Sequence, residues 1–432
     1  MTSRLSEPPT HLSLGIDFGT SGARAIVIDP DCCVRAEVKS AFAEVDPAER
    51  ASVWKTTLFE LIGDLPIDVR AQLTQIAING TSSTILLCNA QGEPLHPAVL
   101  YNETCDPEDL DLLDAIVPLG HTVLSASSSL AKFLTLSRQT DFSDAHALMH
   151  QADWLAYQLH GCLGISDYHN SLKLGYDPAI ETYPDWFQDE QLRFLLPLLP
   201  RVIAPGTPIA PVQPAIAQRF DLPPHCQICA GTTDSIAAFL ASGASYPGEA
   251  VTSLGSTLVL KLLSQTRIDQ AQYGIYSHRF GQQWLVGGAS NTGGAVLQQY
   301  FSTAELASLS ALIDPQVVSP LDYYPLLKPG ERFPINDPDL QPRLQPRPDQ
   351  PAAFLHGLLE SLARIEAQGY RLLQEQGATP VTQIYTAGGG AQNLTWQAIR
   401  QRYLQASIKE PRHRQAAYGT ALLAARGCKL MG

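Results

Sequence analysis

The sequence predicts an α/β protein of two similar domains. An apolar strand, a glycine- and hydroxyl-rich turn and a second apolar strand follow one another near the N-terminus. The same order returns near residue 249. Elsewhere, helical stretches alternate with short apolar runs, as expected for helices packed on a sheet. A length of 432 residues suits two or three domains of ordinary size, and 45% hydrophobic with 16% charged residues is a globular composition.

The first element is Leu12-Ser-Leu-Gly-Ile-Asp17, followed by the turn Phe18-Gly-Thr-Ser-Gly22 and the strand Ala25-Ile-Val-Ile28. Residues 48–63 have a helical pattern. Gln75-Ile-Ala-Ile-Asn79 and Ile85-Leu-Leu-Cys88 are strands on either side of Gly80-Thr-Ser-Ser-Thr84. Residues 105–162 read mostly as helices, and 213–219 as a short helix. The strand Cys226 to Ala230 ends in Gly231-Thr-Thr-Asp234, and Ser235 to Ser242 looks helical. Glu249 to Ser253, the turn Leu254-Gly-Ser-Thr257 and Leu258 to Leu263 repeat the opening pattern. The two turns suggest that each domain offers a hydroxyl-rich hairpin to a shared cleft. The plainer alternative is that Gly, Ser and Thr simply make turns.

Eight prolines between Pro325 and Pro351 exclude a helix or a central strand there. Residues 352–376 then read as a long helix, Thr382 to Thr386 as a strand, and Ala387-Gly-Gly-Gly-Ala391 as a loop. A helix starts near Asn393, and an Ala-rich helix runs from about Gln415 to Arg426.

A net charge of −13 makes nucleic acid a poor partner, because that affinity comes from clustered Lys and Arg. No apolar stretch approaches the ~20 residues needed to span a bilayer. Met1 to Pro9 is short and polar, so no secretory signal is visible. Eight cysteines, Cys428 among them, form no disulfide framework, and the default compartment is the cytoplasm. Cys226-Gln-Ile-Cys229 spells C-x-x-C but lacks a second pair for zinc, and it reads as ordinary strand cysteines.

Phosphate binding needs inward N–H groups, small side chains and hydroxyl donors. Gly19, Thr20, Ser21 and Gly22 supply these, as do Gly255, Ser256 and Thr257. No G-x-x-x-x-G-K-[ST] occurs, and no G-x-G-x-x-G follows a strand. Asp17-Phe-Gly19 spells the protein-kinase triplet, but no H-R-D loop precedes it. Asp17 and Asp234 each sit where an apolar strand meets a small-residue turn, the kind of strand end that lines a crevice in α/β sheets. A carboxylate there can hold Mg²⁺ or accept a proton. It can also simply cap a turn. Gly388-Gly-Gly390 gives a flat surface for a ring or phosphate, or a plain strand-to-helix loop.

Asp17-Phe-Gly-Thr-Ser21, Gly231-Thr-Thr-Asp234, Gly330-Glu-Arg332 and Gly388-Gly-Gly390, in this order, resemble the FGGY family of carbohydrate kinases. Asp153-Trp-Leu155, Leu159-His-Gly161, Ser166-Asp-Tyr168, Gly287-Gly-Ala289 and Tyr418-Gly-Thr-Ala421 add to the resemblance. It implies two ribonuclease-H-like domains flanking a nucleotide- and sugar-binding cleft. The N-terminal sugar-kinase domain would be 10–242, joined by the C-terminal helix 415–432. The nucleotide-binding domain would be 243–414.

Within the family, the chain is similar to the short cyanobacterial-type D-ribulose kinases and xylulose-kinase-like proteins. Asn79-Gly-Thr81 stands where the family often has Ser-Gly-Gln, and Tyr101-Asn-Glu-Thr104 where it has Trp-Asn-Asp-x-Arg. An Arg that commonly touches a polyol is thus missing, which points to a ketopentose with Ser82 near the sugar.

The resemblance makes Asp234 the general base and Asp17 the carboxylate near Mg²⁺ and the sugar. It puts Asp17, Ser21, Ser82 and Asp234 at the sugar, and Thr20, Ser21, Gly255, Ser256 and Thr257 at the ATP phosphates. Gly389, Gly390 and Asn393 would border adenosine, with Trp396 as a further candidate. The expected reaction is ATP-dependent phosphorylation of a small ketose, most simply D-ribulose to D-ribulose 5-phosphate. The alternatives are a D-xylulose or polyol kinase, or a non-catalytic sugar- or nucleotide-binding homologue.

Overall fold

The computed structural model describes residues 11–139 and 142–427. Met1 to Pro9, Cys428 and the end of the segment 415–432 lie outside the described residues. The chain divides into two compact units. One runs to Ala241 and takes in the segment that begins at Gln415; the other is Ser242–Arg414.

The first unit is built on a seven-stranded sheet. Its strands are β1 (Leu12–Phe18), β2 (Gly22–Ile28), β3 (Val34–Ala41), β4 (Leu73–Gly80), β5 (Pro208–Pro211), β6 (Gln227–Cys229) and β7 (Thr232–Thr233). The order is β3-β2-β1-β4-β6-β5, with β7 also pairing with β4. β1, β2 and β3 form an antiparallel meander, and β4 runs parallel to β1. Leu12, Leu14 and Ile16 are buried, and so are Ser13 and Gly15 between them, because helices cover both faces of this central strand.

Helix α1 (Arg50–Gly63) contributes Trp54, Leu58, Leu61 and Ile62 to the apolar cluster around Leu14 and Ile78. Helices α2 (Ser129–Gln139) and α3 (Gln151–His160) follow, and α4 (Asp234–Ser242) starts directly after β7. The stretch 105–162, read mostly as helices, also contains a strand, Ala147–His150, paired antiparallel with Ile85–Cys88.

The second unit carries a six-stranded sheet of related plan. Its strands are β8 (Glu249–Leu254), β9 (Leu258–Ser264), β10 (Tyr276–Phe280), β11 (Gln283–Ala289), β12 (Gln383–Ala387) and β13 (Ser407–Lys409), in the order β10-β11-β9-β8-β12-β13. Again an antiparallel hairpin, β8–β9, opens the sheet, and a parallel strand, β12, adds beside its first member. Helix α5 (Pro351–Glu375) buries Phe354, Leu355, Leu358, Leu362 and Ile365 in the core of this unit. Residues 311–350 form neither helix nor strand, as the prolines require. Helix α6 (Leu394–Tyr403) follows β12.

Helix α7 (Ala416–Arg426) returns to the first unit and packs on β1 and β4. A side chain at Gly15 would collide with the α7 backbone at Ala417 and Ala421, and one at Gly419 with the carbonyl of Ala237 on α4. This close approach explains why α7 is so rich in alanine.

Candidate functional site

The register of three parallel strands assembles the acidic part of the first unit. Asp17 on β1 pairs with Asn79 on β4, and Asn79 pairs with Thr232 on β7. Asp234 comes two residues after Thr232, at the first position of α4, where its Oδ1 accepts the Ser235 amide at 2.6 Å. Both aspartates thus sit at the carboxyl ends of parallel strands, where α/β sheets bind ligands.

Burial, and then the charge of Asp234, push the Asp17 carboxyl up to about 7; Arg24 and a hydrogen bond from Asn79 oppose this. Arg24 is the residue paired with Asp17 across the β1–β2 hairpin, so the two side chains share a face. The Asn79 amide also donates to Thr420 Oγ1 on α7 at 2.6 Å, which fixes its rotamer. A carboxyl whose proton affinity is raised by a second carboxyl nearby is suited to sharing a cation with it or to passing a proton.

Thr20 and Ser21 are exposed in the β1–β2 turn, which is closed by the Gly19 amide on the Gly22 carbonyl at 3.0 Å. Ser82 is half-buried in the loop after β4. Beside this loop lies a cavity of about 430 Å³. Gly19, Thr20, Arg50, Trp54, Thr81, Tyr101 and Gln151 are among its walls, so Thr20 is the member of the expected set that reaches it.

Two sequence expectations change here. The family's glutamine was read as replaced by Thr81, yet a glutamine does reach this loop from the start of α3. Gln151 Oε1 accepts both the Thr81 amide and its hydroxyl at 3.0 Å. An arginine was read as missing near Tyr101, yet Arg50 of α1 lines the same cavity. Both come from elements distant in sequence from the motifs that they complete.

In the second unit, the turn between β8 and β9 presents Ser256 exposed, with Gly255 and Thr257 half-buried. Gly294 and Ala295 donate their amides to the Gly255 and Ser256 carbonyls at 2.8 and 3.1 Å, fixing the turn from the start of the following helical segment. Gly388 packs against the backbone of Leu254 and Gly255, so the turn and the triglycine loop come together. Gly389 is exposed with open space beside it.

Trp396 requires a correction. It is 2% exposed, and its ring lies under Gly390, where a Cβ would stand 2.5 Å from it. The tryptophan is the floor beneath the glycines, a place fixed by its position in the first turn of α6, which leaves no face for adenine. Asn393 is committed as well: its Oδ1 caps α6 by accepting the Trp396 amide at 3.0 Å, and its amide donates to Ser310 at 2.8 Å.

The sequence reading missed Arg24, Asn79, Gln151 and Arg50 as members of the site. Asn79 had a usable signal, since it is a polar residue closing an apolar strand just as Asp17 does. Cys226 and Cys229 are buried in and beside β6, and burial pushes both thiols up to about 12, so they behave as core residues. Hard oxygen donors, a carboxylate and hydroxyls, suit Mg²⁺, which takes one or two protein carboxylates together with phosphates and waters. Among the described residues, no helix is long and apolar enough to cross a membrane.

Residues 250–428 match the FGGY family of carbohydrate kinases, C-terminal domain. A xylulose kinase of Staphylococcus xylosus is 22% identical, over 96% of this chain and 90% of that protein. A gluconokinase of Bacillus subtilis is 20% identical, over 93% and 84%. Among solved structures, a xyloylose kinase from Brucella ovis superposes with a TM-score of 0.81 at 23% identity, over 96% of this chain and 91% of that one. A Plasmodium falciparum glycerol kinase with ADP superposes at 0.79 and 14% identity, over 96% and 89%. These likenesses show a common fold.

Proposed function

We propose that the chain is an ATP-dependent sugar kinase of the FGGY type, as the match of residues 250–428 to that family's C-terminal domain and the xylulose-kinase relatives support, and that its acceptor is a small ketose, D-ribulose, which it converts to D-ribulose 5-phosphate. The observation that carries this reading is the pair of aspartates at the ends of parallel strands, with Asp234 contributing to the raised proton affinity of Asp17.

In the proposed reaction, a ketose hydroxyl oxygen bonds to the γ-phosphorus while the bond from that phosphorus to the β–γ bridging oxygen breaks. The hydroxyl proton passes to Asp234, and ADP leaves. A positioned base contributes roughly 10²–10⁴-fold. Phosphoryl transfer otherwise depends on positioning and charge neutralisation. Asp17 would hold Mg²⁺, which neutralises the triphosphate when bound. Ser21 and Ser82 are assigned to the sugar. Thr20, Ser21 and the Gly255–Thr257 turn are assigned to the phosphates, and Gly389 and Gly390 to adenosine.

D-Xylulose is the second reading, favoured by the names of the relatives, several of which are xylulose kinases. A non-catalytic homologue has less support, because both aspartates are present and near enough for the charge of Asp234 to raise the proton affinity of Asp17. ADP release measured with D-ribulose, D-xylulose, glycerol and gluconate decides among them. D-Ribulose should give the highest kcat/KM. A higher value for D-xylulose moves the assignment to that sugar, release with glycerol or gluconate alone overturns the ketose reading, and no release with any of the four overturns the kinase reading.

A further inference from the structure

We propose that Lys132 is a positioning residue: its ammonium braces two neighbouring loops that line the cavity beside the β1–β2 turn, and so sets the shape of that cavity, to which we assign part of the ketose because it adjoins the Ser82 loop and is lined by Thr81 and Tyr101. The inference rests on the proposed function for the identity of the ligand, and on geometry for the clamp itself.

Lys132 lies in α2 and is 1% exposed. Its Nζ donates to the Ser83 carbonyl at 2.5 Å and to the Leu100 carbonyl at 2.6 Å. Those carbonyls belong to two separate loops. One follows β4 and carries Thr81 and Ser82; the other carries Tyr101. Thr81, Leu100 and Tyr101 all line the 430 Å³ cavity. The backbone joins the two segments at Ile85 and Val99, whose amides and carbonyls pair at 3.0 Å, and the cation extends that join to Ser83 and Leu100, nearer the cavity.

A buried ammonium costs free energy unless it is well bonded. Among the described residues no carboxylate forms an ion pair with Lys132; main-chain carbonyls accept its N–H groups, and the charge of Glu103 favours the ammonium from further away. Burial first, and Lys173 second, lower its proton affinity to about 7. An apolar side chain of similar length would fill the space at less cost. What it could not do is hold two carbonyls at a fixed separation.

The first loop needs such holding. Ser83 has φ +66, the left-handed region that a serine rarely adopts. Its hydroxyl is buried without a hydrogen-bond partner. Other links also join the loops: the Tyr101 amide on Thr84 Oγ1 at 3.1 Å and the reciprocal Ile85–Val99 backbone bonds at 3.0 Å. Removing Lys132 therefore loosens the walls without releasing them altogether.

The test is Lys132→Met, read two ways. Hydrogen exchange of the ligand-free protein should rise about tenfold or more at the amides of 82–84 and 101–103. Ketose KM should rise about tenfold or more, while ATP KM stays within about twofold. A Lys132→Ala variant should recover ketose KM when ethylammonium is added, and not with ethanol, a difference that a merely space-filling role would not produce. If Lys132→Met fails to fold, Lys132→Gln, whose amide reaches one carbonyl, takes its place with a smaller change of the same pattern. Native exchange in both loops, or native ketose KM, in any folded variant overturns the proposal. If the unaltered enzyme turns over no ketose, the proposed function fails by itself, and the exchange measurement alone decides the clamp.

Discussion

Arg400 forks onto Glu366 inside the second unit, with Nε on Oε2 at 2.6 Å and Nη2 on Oε1 at 2.7 Å. Both side chains are 1% exposed. The pair ties four elements together. Thr252 of β8 donates to Glu366 on α5 at 2.5 Å, and Arg400 of α6 donates to Thr386 of β12 at 2.8 Å. β8 leads into the Gly255–Thr257 turn and β12 into the triglycine loop, so the ion pair fixes the roots of both.

Breaking one side of such a pair leaves a buried charge without its partner. Arg400→Met should therefore destabilise the protein by about 3–5 kcal/mol. Replacing both residues, Arg400→Met with Glu366→Leu, should recover most of that loss, because the uncompensated charge is gone. Urea unfolding of the single and double variants measures this; a double variant no better than the single would show that the network's geometry, and not its charge, carries the stability.

Asp17 gives a stability prediction with a definite sign. Its proton affinity in the fold is about 7, against an ordinary 3.8, with burial as the larger cause and Asp234 as the second. The folded state thus holds this proton more tightly than the unfolded chain. The contribution of Asp17 is most favourable below about pH 4 and is lost as pH rises through 7. Asp17→Asn removes the penalty of the buried charge, at most about 4 kcal/mol. Its Tm should exceed that of the unaltered protein at pH 8, and the gap should close at pH 4. A gap independent of pH would show that Asp17 is not the titrating group. In the same variant, turnover and its response to Mg²⁺ should fall.

Much of this arrangement was legible in the sequence, for identifiable reasons. β1, β4 and β6 are buried apolar runs that end in small or hydroxyl residues, so their ends marked the aspartates. Partners that arrive through tertiary packing left no local signal. Asn79 and Thr420 are 341 positions apart. Gln151 meets Thr81, and Arg50 lines the cavity, only because helices α3 and α1 pack where they do. β3 escaped notice because it alternates charged and partly buried residues at a sheet edge. Ala147–His150 escaped because Ala, Leu and Met favour helices, and only pairing with Ile85–Cys88 makes it a strand. Trp396 was misread because an aromatic beside glycines looks like a ring platform, and burial cannot be read from three residues.

Asp234 is assigned the proton transfer, and one substitution separates that from binding. Asp234→Asn keeps the size and can still hydrogen-bond a sugar hydroxyl, but it cannot accept the proton. kcat should fall roughly 10²-fold or more, with ketose KM little changed. Steady-state kinetics at saturating ATP gives both numbers. Near-native kcat with a raised KM would make Asp234 a binding residue and leave the base to be sought elsewhere.

The two neighbouring glycines of the triglycine loop separate packing from contact with nucleotide. A methyl group at Gly390 would meet Trp396 at 2.5 Å and Leu254 Cβ at 2.8 Å. Gly390→Ala must therefore push the tryptophan floor away and should cost about 1–3 kcal/mol of stability. A methyl group at Gly389 meets nothing within 4 Å. Gly389→Ala should leave Tm unchanged, so any effect on ATP has to come from the ligand side. If adenosine lies against this loop, ATP KM should rise several-fold in Gly389→Ala while ketose KM stays put. An ATP KM equal to that of the unaltered enzyme would mean that the nucleotide does not approach Gly389, and the adenosine assignment would then lose the residue with the most open face in the loop.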